Sequence, residues 1–320
     1  MRGAGGIKRA AEYSGGEFSL RLTLGADAAG LRLDQALARQ LTEFSRSQVQ
    51  AWIECGRVRV AGSAVKAKQR VFGGELVEIA VPDEARAGDH AAQPISFPLV
   101  HTEAAFLVLD KPAGLVVHPG NGNSSGTLLN ALLHFDPALA ALPRAGIVHR
   151  LDKDTSGLMV IARRADAASN LIRQLQARSV SRYYWAVVAG APRPSGEVDL
   201  AIGRDPRRRT RMAVQAQGRP ALTRFHVVER FAGASLIEAR LATGRTHQIR
   251  VHMAALGHPL LGDPVYGAKR RSVATFRRQA LHAFHLEFDH PDSGDRVAFT
   301  APAPDDFASL LVELRRTARG

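Results

Sequence analysis

Cysteine is almost absent: Cys55 is the only one in 320 residues. That excludes an intrachain disulfide framework and a thiolate-rich zinc site, and it suits a reducing, cytoplasmic setting. Aromatic residues make up 6% of the chain, and no hydrophobic run is long enough to span a bilayer. Arg2, Lys8 and Arg9 are not followed by an apolar core, so no secretory signal is expected and residues 1–17 read as a flexible leader. Lysine is scarce too, six of 43 basic residues. The remaining arginines leave a net charge of +13 against 30 acids. Guanidinium groups pair bidentately with phosphate and stack on bases, so the surplus favours a nucleic-acid partner. A genomic bias, visible in Ala162-Arg163-Arg164-Ala165, would explain arginine over lysine but not the excess over acids.

An apolar fraction of 45% supports one sizeable core plus a small accessory domain. The first unit is expected over residues 28–82. Leu33, Leu37 and Leu41 share a helical face, and Ser45 with Gln48 makes a capping box ahead of the Val49, Trp52, Ile53 stripe. Gly56 is placed to end that helix. Arg57 to Val60 and Leu76 to Val81 alternate as short strands. Residues 83–98 are polar, with few anchors, and read as a linker. The main body is expected over 99–314, with a basic tail at 315–320.

Within that body, strand-like runs occur at 106–109, 115–118, 157–162, 183–188, 222–230 and 234–241. Helical stretches are expected at 127–134, 166–176, 246–256 and near 307–314. The strands cluster without a βαβ rhythm. This implies an α+β fold with a mixed, largely antiparallel sheet flanked by helices.

The most informative segment is His149-Arg150-Leu151-Asp152-Lys153-Asp154-Thr155-Ser156-Gly157, which turns into the run Leu158 to Ala162. A carboxylate immobilised at the mouth of a strand suits a nucleophile. A structural ion pair at a turn would leave the same pattern. Two further segments stand out, Leu109-Asp110-Lys111-Pro112-Ala113-Gly114 through Gly120, and Gly244-Arg245-Thr246-His247-Gln248-Ile249-Arg250-Val251-His252. Thr246 is positioned to cap a short helix carrying Arg250. Several chemistries are poorly matched. His247 and His252 lack the His-Glu-x-x-His spacing of a metalloprotease, and the glycine-rich turn 120–126 lacks the Lys-Ser/Thr of a phosphate-binding loop. His282 and His285 could share a helical face, but no carboxylate spacing marks a metal site. Asp152 and Asp154 do not establish two acids across a glycosidic bond.

These segments resemble the pseudouridine synthases of the large-subunit ribosomal RNA family, and the likeness runs along nearly the whole chain. Arg32-Leu33-Asp34, Ser45-Arg46-Ser47 and Gly56-Arg57-Val58 resemble the S4-type RNA-binding domain. The resemblance implies that Asp152 is the catalytic aspartate and that Arg250 forms its ion pair. It implies that Tyr184 stacks under the target uracil and acts in a late proton transfer, and that Leu281 packs on the base; Arg150, adjacent to Asp152, is a candidate to hold the opened backbone. On residues alone, Arg250 also fits a backbone-phosphate contact or an ordinary surface arginine, Tyr184 fits a structural tyrosine equally well, and Leu281 reads first as plain core. Arg46, Arg57, Arg207, Arg208 and Arg209 are expected RNA contacts. No metal or other cofactor is implied. The implied partner is 23S rRNA, at helix 69 by the subgroup's match at 117–120 and 257–267, free or in an assembling subunit. No membrane and no obligatory protein partner are implied. Another rRNA site or tRNA as target, or a noncatalytic role in ribosome assembly, are the alternatives.

Overall fold

Leucine spacing and strand alternation organise the first unit around a single small core. The computed structural model describes residues 9–14, 17–41, 46–81, 91–120, 123–208, 211–267 and 276–317. The chain divides between His90 and Ala91 into two compact units. In the first, β1 (Arg9–Ser14) pairs antiparallel with β2 (Glu17–Thr23). Helices α1 (Leu33–Gln40) and α2 (Arg46–Glu54) follow, then β3 (Val58–Val60), β4 (Ser63–Ala64) and β5 (Leu76–Val81). The five strands form an antiparallel sheet in the order β1-β2-β5-β3-β4. Leu33, Leu37 and Leu41 meet Val49, Trp52 and Ile53 over Val77 and Ile79, all buried. Gly56 sits at φ +71°, the left-handed turn that ends α2. The expected cap, Ser45, lies outside the described residues.

Two differences from the sequence reading concern this unit and its exit. Residues 9–14, placed in a leader, pair as an edge strand because Leu20 and Leu22 of β2 anchor the neighbour in the core. Residues 91–98, placed in a linker, run as a strap along the second unit. Gln93 N donates to Asn130 O at 3.0 Å, Asn130 Nδ2 donates to Ala91 O at 2.9 Å, and Phe97 meets Phe135 edge-on at 5.6 Å. One of these bonds runs to a helix carbonyl and the other comes from a side-chain amide, with no ladder, so no strand pattern announces the segment. Residues 82–90 lie outside the described part.

The second unit begins with β6 (Leu99–Thr102), β7 (Phe106–Lys111) and α3 (Leu128–Phe135). Next come β8 (Ser156–Ala162), α4 (Ala165–Ala177), β9 (Ser181–Ala189), β10 (Ser195–Asp199), β11 (Ile202–Arg204) and β12 (Met212–Val214). The chain continues through β13 (Leu222–Phe231), β14 (Ala234–Leu241), α5 (Gln248–Ala255), β15 (Leu281–Asp289), β16 (Arg296–Thr300) and α6 (Asp305–Thr317). The large sheet runs β10-β13-β14-β9-β15-β8-β7-β6, with β16 also on β15, and only β15 and β8 pair in parallel. One face packs Met159, Ile161, Ala186 and Ile237 against Leu128 and Leu132 of α3 and Ile249 and Met253 of α5. The opposite face packs Val160 against Leu171 of α4, and Val187 and Leu236 against Phe307 and Leu310 of α6. Truncating a buried leucine such as Leu132 would cost about 2–5 kcal/mol.

Three expectations are corrected here. Residues 115–118 form no strand; Val116 and Val117 instead offer carbonyls to Leu128 N and Leu129 N at the start of α3, at 2.7 and 3.2 Å. The expected basic tail begins inside α6, where Arg315 Nη2 pairs with Glu229 at 2.7 Å; residues 318–320 lie outside the described part. His282 and His285 stand on strand β15 and not on a helix; a register shift between Ala283 and His285 sets them opposite Trp185 and Tyr183 of β9, on one face of the sheet.

Candidate active site

The loop before β8 is fixed from behind through the successive carbonyls of Asp152, Lys153 and Asp154. Asp152 O accepts from Thr155 N at 3.1 Å, closing a turn, and Leu151 is buried in the main core. Lys153 O accepts from Gly114 N and Lys111 Nζ, both at 2.9 Å, and Asp154 O accepts from Arg278 Nη1 at 3.0 Å. Lys111 is fully buried, and its Nζ also donates to Pro112 O at 2.7 Å and Leu115 O at 2.9 Å. Burial pulls this ammonium down to about 7, against the raising effect of Asp154, Asp152 and Asp110. Gly157 adopts φ +120°, and an added Cβ there would lie 2.3 Å from Ala283 O. Only glycine lets β8 leave this loop so close to β15.

With its backbone held, Asp152 turns a carboxylate that is 16% exposed toward Arg250. Arg250 Nη1 donates to Asp152 Oδ2 at 3.0 Å. Its Nε and Nη2 donate to the two oxygens of Asp263 at 2.7 and 3.0 Å. Asp263 also accepts from Val265 N and Tyr266 N at 2.8 and 2.9 Å. Burial alone would raise Asp263, but the hydrogen bonds and charge of Arg250 outweigh it and hold the carboxyl low. Arg250 is itself pushed up, because the two acids overcome its desolvation.

Arg250 reaches this position from a helix that starts later than the sequence suggests. His247, not Thr246, occupies the cap position at φ +57°, and Gln248 Oε1 accepts from Arg245 N and Thr243 Oγ1 at 2.9 and 2.7 Å. The left-handed turn carries the His247 ring to the site, with Nε2 3.9 Å from Asp152 Oδ1. Tyr266 OH accepts from Met212 N and bonds to His247 Nδ1, both at 2.9 Å. Burial lowers His247, and the charges of Arg250 and Arg150 add to that.

Tyr184 lies on β9 with Ala239 and Ala283 directly opposite on the two neighbouring strands. Both cross-strand partners are alanines, so no bulky side chain from within the sheet flanks the phenol. Tyr184 is 5% exposed, and burial, helped by the charge of Asp152, raises its hydroxyl above the usual range. Leu281, two residues before Ala283, is buried in the same cluster as Tyr184 and Leu151. Arg150 is exposed beside Asp152.

The other expected residues lie around these. Arg207 and Arg208 are exposed, their backbone N–H groups donating to Asp205 Oδ1 at 2.8 and 3.1 Å; Arg209 lies outside the described residues. Their hairpin, β11 with β12, is tied to the site through Met212 and Tyr266, and Arg211 hydrogen-bonds Val265 O. In the first unit, Arg57 is exposed, whereas Arg46 Nη2 pairs at 2.7 Å with buried Asp34. Asp263, His247, Tyr266, Arg278 and Lys111 carry no role in the sequence reading. Asp263 and Tyr266 sit in Gly262-Asp263-Pro264-Val265-Tyr266-Gly267, where an acid next to a proline and two glycines was the available signal.

The family model described as RNA pseudouridylate synthase matches residues 105–255, and that of the S4 domain matches 31–77. The ribosomal large subunit pseudouridine synthase D of Nitrosomonas europaea is 49% identical over 93% of this chain and 89% of its own length. The protein of that name from Pseudomonas aeruginosa is 47% identical over 90% and 93%. Among solved structures, human RNA pseudouridylate synthase domain containing 1 superposes with a TM-score of 0.55 at 28% identity, covering 71% of this chain and 97% of its own.

Proposed function

We propose, from the premise that this chain belongs to the RNA pseudouridylate synthase family, that it isomerises uridines of large-subunit rRNA at the helix 69 loop of 23S rRNA. The observation that carries this reading is the Asp152–Arg250 pair at 3.0 Å, with Arg250 clamped by Asp263. The reaction breaks the C1′–N1 bond, turns the uracil and joins C5 to C1′. C5 loses a proton and N1 gains one, so atoms balance without oxidant, reductant or phosphate donor. Asp152 is the nucleophile, attacking ribose C1′ or uracil C6. In either route a fixed carboxylate needs no reorganisation at the moment of attack.

Tyr184 and Leu281 receive the base. Flipping a nucleotide costs a few kcal/mol, least in a loop, and stacking on an aromatic face recovers part of it. Burial keeps the resting phenol protonated, which suits stacking and hydrogen bonding first and the C5 proton transfer only later. Arg150, Arg207 and Arg208 supply phosphate contacts, and the S4 unit adds affinity. The setting is the cytoplasm, on free rRNA or an assembling subunit.

Two measurements test the reading. Purified protein releases tritium from 23S rRNA labelled at uridine C5, and Asp152→Asn releases none while still binding. Pseudouridine mapping of rRNA from cells lacking the gene should show a loss confined to helix 69, restored by wild type and not by Asp152→Asn. A loss in tRNA or at another rRNA site would overturn the helix 69 assignment.

A further inference from the structure

Phe72 of the first unit is 84% exposed, on a loop that is otherwise tightly held. Val71 N donates to Leu31 O at 3.0 Å, and Gly30 N donates to Val71 O at 2.7 Å. Phe72 N donates to Glu75 Oε1 at 2.6 Å, and Gly74 N donates to Leu24 O at 2.7 Å. Gly73 sits at φ +84°, and a Cβ there would meet Ala26 Cα and Gly25 O at 3.0 Å. The ring is therefore presented on a fixed backbone, and its exposure is not the by-product of a loose turn.

The residues before it sort by side. Val65, Ala67 and Val71 turn in against the core, while Lys66, Lys68, Arg70 and Phe72 are exposed. Arg70 Nη1 donates to Gly30 O at 2.6 Å, which fixes this second strap, residues 65–72, against the loop before α1. The acid paired to this strap, Asp34, donates its N–H to Ala67 O. Its carboxylate is buried between Arg32 and Arg46 at 3.0 and 2.7 Å, so it is matched by those two arginines and not by Lys66, Lys68 or Arg70.

We propose that this strap is a platform for single-stranded RNA, with Phe72 stacking on an unpaired base while Lys66, Lys68 and Arg70 meet the flanking phosphates. A duplex covers its base faces, and an apolar protein surface would desolvate these cations without pairing them. An unpaired nucleotide satisfies both the ring and the charges. The proposal rests on the reading of the chain as an RNA enzyme, and it adds a second hold in the unit that does not contain Asp152.

Fluorescence anisotropy of the full chain with a short labelled single-stranded RNA, and with the blunt duplex of the same sequence, tests it. Phe72→Ala should weaken single-strand binding about tenfold and leave duplex binding unchanged. Phe72→Trp should retain affinity, and Phe72→Leu should be as weak as Phe72→Ala. Lys68→Ala should lower the salt slope by about one, whereas Phe72→Ala should not change it. Because these side chains are exposed, all variants should unfold at the wild-type temperature. Equal affinity of Phe72→Ala and wild type, or full affinity in Phe72→Leu, overturns the proposal. So does sedimentation showing that wild type self-associates through Phe72. Tritium release by wild type is scored separately, so failure of the synthase reading leaves the binding comparison intact.

Discussion

Arg250 holds Asp152 with one nitrogen and Asp263 with two, so a single buried guanidinium links the loop acid to a second, fully enclosed carboxylate. Asp263→Ala would leave that guanidinium buried with one partner, a loss of about 3–5 kcal/mol. Urea unfolding should report the loss. Asp263→Asn keeps the shape but not the charge. It should slow tritium release about a hundredfold through misplacement of Arg250, with RNA affinity nearly kept.

Tyr184→Phe separates the ring from its hydroxyl. The ring should still stack, so KM should move little while kcat falls about 10²- to 10⁴-fold if the hydroxyl takes part in proton transfer. Tyr184→Ala should lose both kcat and affinity. Equal kcat in Tyr184→Phe and wild type would confine the residue to stacking.

Lys111→Met removes the donor shared by Pro112 O, Leu115 O and Lys153 O. Each buried acceptor left unpaired costs about 1–3 kcal/mol. The variant should melt several degrees lower and turn over more slowly, because Lys153 adjoins the proposed nucleophile. Single-turnover rates at saturating RNA distinguish this from weaker binding.

Stability should fall on acidification through His282. Its Nδ1 bonds to Ser156 Oγ at 3.0 Å, and burial holds the ring down at about 4, against 6.5 when free. As pH falls, the unfolded chain takes up the proton first. The contribution is therefore complete above pH 6.5 and lost progressively toward pH 4, about 3 kcal/mol in all. His282→Gln should flatten the stability profile over this interval in chemical denaturation.

Amphipathic elements were legible in the sequence because burial on one side leaves a period. The expected strand 234–241 is β14 with the same limits, and the expected helix 166–176 is α4 within one residue at each end. Strand β15 was not legible, because a register shift between Ala283 and His285 breaks the alternation that Leu281-His282-Ala283 begins. Its buried His282 is accommodated by Ser156, a partner 126 positions away. The Asp152, Tyr184 and Arg250 set came from resemblance, and geometry brings the three into one neighbourhood. The support around them was illegible for a physical reason. Asp263, Arg278 and Lys111 act through carbonyls and a guanidinium supplied by distant segments, and such pairings leave no periodicity.

The bare Cα at Gly157 has an implication for altering substrate choice. Parallel pairing at His282 with Ser156 and Ala283 with Gly157 yokes the acid-bearing loop to the strand that begins with Leu281. A methyl group at 157 would wedge those strands apart, displacing the carboxylate and the apolar wall together. Attempts to admit a bulkier nucleobase should therefore leave that seam alone and work from Met212 and Tyr266, which join the site through His247 and not through these strands.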